Sequence, residues 1–380
     1  MGIIKNFLFK NNKTKTPEKV QEEPVIIHES WSPLCDIQAF VEKNPTSYYF
    51  YLWVNPSSDN PVMKPCWICN RVKSKEDIDY DAMNNGLAPM MPSPFVKHDE
   101  NGFDLDEDNL SVVWFEEGDA AALLENGKII CVIPSWADRN FNGYSIYAEG
   151  TGPFAWGLSD AYDVLSERVK RSQKYWDYMD SAYFTELQDN HLNSLETFFG
   201  KYEKYFAIDN NQFPPKALIT GCKANISYAF TAGLSALCQP EIERYFEEND
   251  YLNYRRIELA FACSDDFKNS SKYMKMLSYM SAQTTLPWKA LTWLGNAHTI
   301  PCNAVDGFNA VLLLNSNVYE EINHPVYKDF MGEKINNLWL VPLTAKEYEF
   351  AQSHSSEELL DKYNGNLNDL VVFDGHAKFL

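Results

Sequence analysis

The sequence predicts an α+β protein of two lobes, each built on a mixed or antiparallel sheet with packed helices. Three observations carry this expectation. Strand-like and helix-like apolar runs alternate through the second half of the chain, a helix with one apolar face separates the halves, and a tight hairpin signal sits in the first half. With 380 residues, 45% of them hydrophobic, the chain can bury more than one core.

The elements follow in chain order. Residues 1–30 read as a tail and linker, because 11–24 are polar, charged and bracketed by Pro17 and Pro24. Before them, the apolar run Ile3, Ile4, Phe7, Leu8, Phe9 is too short for a membrane span or a secretory leader. A first lobe over 31–158 opens with Tyr48 to Val54, an aromatic run suited to a buried strand. The acidic stretch Asp99 to Asn109 reads as a solvated loop. The runs around Leu123–Leu124 and Ile129–Ile130 flank Asn126–Gly127, the dipeptide best able to supply two positive φ angles, which predicts a hairpin.

A helical connector is expected over 159–212. Tyr162, Leu165, Val169, Ser172, Trp176, Met179, Tyr183 and Leu187 recur at alternating three- and four-residue steps, with Ser159 or Asp160 placed to cap the start. Asp189–Asn190 and Asn210–Asn211, then Pro214–Pro215, are expected as breaks. The second lobe, 213–380, strings together apolar runs at 217–220, 226–237, 256–263, 308–314 and 338–343, with a helix over 272–282. Thr344 with Glu347, and Ser355 with Glu358, have capping-box spacing, which predicts two helix starts.

Charge narrows the function. The chain carries 53 acidic and 33 basic residues, a net charge of -20. Such a surface repels phosphate backbones and disfavours nucleic acid, whereas a basic protein complements it. The bland alternative is solubility alone. The eight cysteines are scattered through apolar stretches, which suits reduced thiols in a cytoplasm.

Catalytic patterns are sparse. Cys66-Trp67-Ile68-Cys69 has the spacing of a zinc or redox pair and supports the alternative of a zinc- or thiol-dependent enzyme. A zinc site needs two further ligands, which no other Cys or His supplies at a recognisable spacing, so structural cysteines on a partly buried turn are expected. Gly233-Leu234-Ser235-Ala236-Leu237 lacks the second glycine of a nucleophile elbow, and Ser235 reads as a strand residue. Gly150-Thr151-Gly152-Pro153 ends in proline where a phosphate cradle needs backbone donors. Glu116, Glu117 and Asp119 read as a solvated strand end. Catalytic residues, metal and cofactor are therefore expected to be absent, leaving a protein partner as the main expectation.

Thr231 to Pro240, followed by Tyr254-Arg255-Arg256-Ile257-Glu258-Leu259-Ala260, resembles the suppressor of fused domain. The order of later landmarks agrees: Lys272 to Leu294, Thr299 to Pro301, Gly307 before an apolar strand, Trp339 to Glu347, and Ser355 to Leu360. The resemblance covers 213–380 and implies a non-enzymatic binding module. Animal members capture an extended peptide of a transcription factor between two lobes. Bacterial members are proposed as immunity proteins that neutralise toxins. Trp114 to Asp119 and Ile133 to Trp136 resemble the leading region of bacterial members, which implies a bacterial cytoplasmic immunity protein; with the charge of -20 its expected partner is a basic toxin domain, and the alternative is a general adaptor protein with no toxin. Strand alternation puts Arg256 and Glu258 on one face, as candidates for a polar surface near the cleft. Trp288, Trp293 and Trp339 are candidate partner anchors, with core packing as the alternative. Partner-binding residues expected here are Arg256, Glu258, Trp288 and Trp339.

Overall fold

A computed structural model describes residues 23–380, apart from residues 85 and 182. The apolar run at residues 3–9 lies outside the described residues. The expected tail ends sooner than residue 30, because β1 (Val25–Trp31) pairs antiparallel with β2 (Ile37–Lys43). Its alternating Ile27 and Trp31 give a weak pattern, and the neighbouring strand decides the outcome.

β1 and β2 continue into the meander β3 (Ser47–Val54) and β4 (Val62–Asn70). A short helix α1 (Tyr80–Asn84) follows. A second sheet runs through β5 (Leu110–Trp114), β6 (Ala121–Glu125), β7 (Lys128–Ile133), β8 (Tyr144–Ser145) and β9 (Trp156–Gly157), in that order. The β6–β7 turn is the expected hairpin, with Asn126 at φ 50° and Gly127 at φ 74°. Cys66 and Cys69 sit in β4 and are wholly buried, not on a turn as expected, because Trp67 and Ile68 between them pack inward on a fully enclosed stretch.

The connector holds two helices, α2 (Tyr162–Met179) and α3 (Tyr183–Phe199). Leu165, Val169, Ser172 and Met179 are buried on the first, Tyr183 and Leu187 on the second, so the apolar face continues across the break. Asp189–Asn190 do not interrupt α3. Burial of Leu187, His191 and Leu195 on one stripe outweighs their turn preference.

The large C-terminal sheet has the order β10 (Lys204–Ala207), β11 (Ala217–Lys223), β12 (Ile226–Ala232), β13 (Ile257–Ser264), β16 (Asn336–Thr344), β15 (Phe308–Asn315), β14 (Thr299–Pro301). β13 pairs parallel with β16 and with β17 (Val372–Phe373), and the remaining neighbours are antiparallel, which makes the sheet mixed. β10 belongs to this sheet, so the connector contributes its first strand. The helices α4 (Asp265–Lys268), α5 (Lys272–Gln283), α6 (Leu286–Ala290), α7 (Ala345–Ser353), α8 (Ser356–Leu360) and α9 (Leu367–Leu370) pack around it. Thr344 and Glu347 form the full reciprocal cap of α7, while the Ser355 hydroxyl accepts from the Glu358 N–H at the start of α8. Ser235 lies in a buried helical turn after β12, because Gly233 at φ 104° ends the strand before it.

One apolar cluster runs through both lobes, joining Phe50, Trp67 and Leu123 to Tyr175, Leu237 and Phe261, so the lobes share a core. A second fills the opposite face of the large sheet around Phe230, Trp339 and Val341, under α3 and α7. Among the described residues no helix is long and apolar enough to cross a membrane.

Candidate partner-binding cleft

Between the lobes lies a cleft of about 740 Å³, walled by the 33–36 and 55–58 turns on one side. The 208–216 connection, Leu237 and the α6 region form the other side. Away from the cleft, charge also joins the two lobes.

The turn between β5 and β6 carries Glu116 and Glu117, each about 1% exposed, contrary to the solvated strand end expected for them. Gly118 makes that turn, at φ 77°. A Cβ there would come within 2.9 Å of the Ser32 Oγ, whose hydroxyl donates to the Gly118 carbonyl at 2.6 Å. Arg168 and Arg171, three apart, leave α2 on the same face. Arg171 Nε donates to Glu116 at 2.8 Å, and Arg168 Nη2 to Glu117 at 2.8 Å. From the other lobe Arg255, 1% exposed, reaches both carboxylates through Nη1, at 2.6 and 2.7 Å. Its Nε donates to Glu333 at 2.8 Å, as does the Nε of Arg256 at 2.8 Å. Arg168 also pairs with Glu243, and Tyr251 Oη accepts from Arg168 and Arg171 at 3.0 and 3.2 Å.

Four guanidiniums thus face four carboxylates from five segments of the chain, and the charges cancel. Burial opposes an ionised Glu117, but Arg168 and Arg255 outweigh it and hold its pKa at about 2. Glu116, Glu117 and Cys238 bring donor atoms within 4.8 Å of one another, but the Arg255 guanidinium holds both carboxylates. Cys238 itself is pushed up to about 12 by burial.

A second buried cluster shapes the cleft floor. Glu258 accepts from the Gly233 and Ser235 N–H groups at 3.1 and 2.9 Å. It also accepts from the Thr231 and Ser235 hydroxyls at 2.6 and 2.7 Å, with His191 Nε2 at 3.2 Å. Burial raises its pKa, yet these partners lower it overall. Arg256 Nη1 donates to the Ser235 and Ala236 carbonyls at 3.1 and 2.8 Å. Both residues therefore brace the 233–237 turn from beneath, and Leu237 at its end faces the cleft. They lie 1% and 0% exposed, inside the fold and not on an open polar face.

Of the tryptophans, Trp288 lines the cleft, with its indole N–H donating to the Cys238 carbonyl at 2.9 Å. Trp339 is wholly buried on the far side of the sheet, and Trp293 packs against Phe246 and His298. Sequence reasoning missed Glu116, Glu117, Arg168 and Arg255 as a set, and Lys216 in the cleft wall. A readable hint for Lys216 was its position directly before the apolar run at Ala217. Cys66 Sγ sits against the Trp67 and Tyr144 carbonyls, and Cys69 Sγ against that of Phe103.

The cleft has a neighbour of about 730 Å³ lined by Lys64, Asp119 and Arg244. There the Glu241 N–H of one lobe donates to Asp119 of the other at 2.7 Å. Burial, with Glu117 nearby, pushes the Asp119 carboxyl up to about 7.

Comparison with known proteins places the C-terminal lobe. The model of the suppressor of fused protein family matches residues 217–374, from the first residue of β11 to just past β17. No curated protein matches the chain. Among solved structures, a chain described as "the Sufu-Fu complex crystal structure" is 12% identical, with a TM-score of 0.37, and the match covers 51% of this chain and 92% of that one. The family is one of protein-binding, non-catalytic domains. The C-terminal lobe is therefore matched, over residues 217–374, by the suppressor of fused family.

Proposed function

We propose that this chain holds a polypeptide partner in the cleft between its lobes, and that it acts as an immunity protein covering a basic toxin domain in a bacterial cytoplasm. The observation that carries the reading is a cleft walled by both lobes, which are also joined by a shared apolar core and a charge-balanced ion-pair network. A rigid groove costs little ordering on binding, which favours affinity. The family match over 217–374 supports a protein partner. The net charge of -20 supports a basic one, since complementary fields raise association rates. The eight free cysteines suit a reducing compartment. β10, a terminal strand of the large sheet, offers an edge for strand addition beside the cleft.

The test is co-expression with the product of the neighbouring gene. A complex that co-purifies, with host growth restored and binding weakened by salt, supports the reading. A neighbour that stays lethal and does not co-purify defeats it.

A further inference from the structure

The cleft contains a cation that its own walls leave unmatched. Lys216 lines it and is 7% exposed, yet its ammonium makes no hydrogen bond or ion pair among the described residues. The acids that act on it are committed elsewhere. Asp209 accepts from the Lys216 and Asn211 backbone N–H groups at 2.9 and 2.8 Å, and Glu258 is filled by the 231–235 turn and His191. The cleft lining mixes apolar groups such as Leu34, Phe213, Leu237 and Trp288 with polar ones such as Asp36 and Gln212. An ammonium buried without a partner is costly, and the same removal from water strengthens any carboxylate that reaches it.

We propose that Lys216 receives the side-chain carboxylate of an aspartate or glutamate on an extended partner segment lying in the cleft. This rests on the cleft being the partner site. The segment is extended because of where Lys216 stands. Its carbonyl accepts from the Ile208 N–H at 3.0 Å, which places it at the end of the ladder between the terminal strand β10 and β11. Ile208 and Asp209, directly after β10, line the same cleft, so a strand added along β10 ends beside it. Surface and cleft then act at different ranges. The acidic surface draws a basic partner, and the buried Lys216 sets register by demanding one acidic residue within it.

The test is selection from a random peptide library, displayed internally so that no free carboxy-terminus is presented, on the full chain. Peptides selected on the natural chain converge on one acidic position, and replacing that acid by its amide weakens binding about tenfold or more. Lys216→Met selects peptides without an acid there, and Lys216→Glu selects Lys or Arg instead. Selected peptides with no acidic position, or an acid preference that persists in Lys216→Met, overturn the proposal while leaving the cleft as the partner site. No enrichment on the natural chain overturns both. Melting temperature separates folding from binding: Lys216→Met and Lys216→Gln stand at or above the natural chain, and a loss in both shows that the ammonium is already satisfied, which also overturns the proposal.

Discussion

Replacing Arg255 by methionine tests whether the lobes are joined by buried charge. The side chain is 1% exposed and donates to Glu116, Glu117 and Glu333 at 2.6–2.8 Å. Without it Glu116 keeps Arg171, Glu117 keeps Arg168 and Glu333 keeps Arg256. The cluster passes from balance to one uncompensated negative charge in a site closed to water. Removing one partner of a buried network costs about 3–5 kcal/mol. Arg255→Lys retains the charge but not the fork that spans three carboxylates, and loses about 1–3 kcal/mol. Urea unfolding followed by tryptophan fluorescence at neutral pH reads both. Adding Glu116→Gln to Arg255→Met restores part of the loss, since it removes the unpaired charge. A loss below about 1 kcal/mol for Arg255→Met, the size of an exposed pair, refutes the reasoning.

Two pH windows follow from the buried acids. Glu117 has its pKa depressed to about 2, so its contribution is present above the ordinary value of 4.5 and is lost as pH falls toward 2; denaturation across that range is shallower in Glu117→Gln. Asp119 is raised to about 7, so its contribution is full below 3.8 and is lost as pH rises through 7. Asp119→Asn therefore gains on the natural chain between pH 5 and pH 8, by at most about 3 kcal/mol, and a difference that does not change with pH contradicts the assignment. Gly118→Ala forces a Cβ to 2.9 Å from Ser32 Oγ at φ 77° and lowers stability by about 1–3 kcal/mol, measured by thermal melting; an unchanged melt means that the turn relaxes freely.

The local features were readable because each is settled within a few residues. The Asn126–Gly127 hairpin needs two positive φ angles, the Thr344 cap needs a carboxylate three residues on, and the α2 stripe needs one face of a helix. The order of apolar runs after Ala217 was legible for the same reason, and with it the suppressor of fused domain. Where a local preference competed with packing, as at Asp189–Asn190 inside α3 or at Val25 in β1, packing prevailed.

The candidate site divides differently. Arg256 and Glu258 stood out in a motif, and strand alternation set their faces, but alternation cannot say whether a face meets water or protein. Glu116 and Glu117 looked solvated because two adjacent carboxylates repel and seek water unless cations enclose them. Those cations come from Arg168, Arg171 and Arg255, 51 to 139 residues away. Short-range chemistry, read from the sequence alone, determined the α+β class, several helix starts and the likeness of the C-terminal lobe to the suppressor of fused family. Only the tertiary structure decided that the lobes share a core, that four arginines neutralise four glutamates between them, and that Lys216 is buried in the cleft wall without a partner among the described residues, because each depends on which distant groups the fold brings within reach.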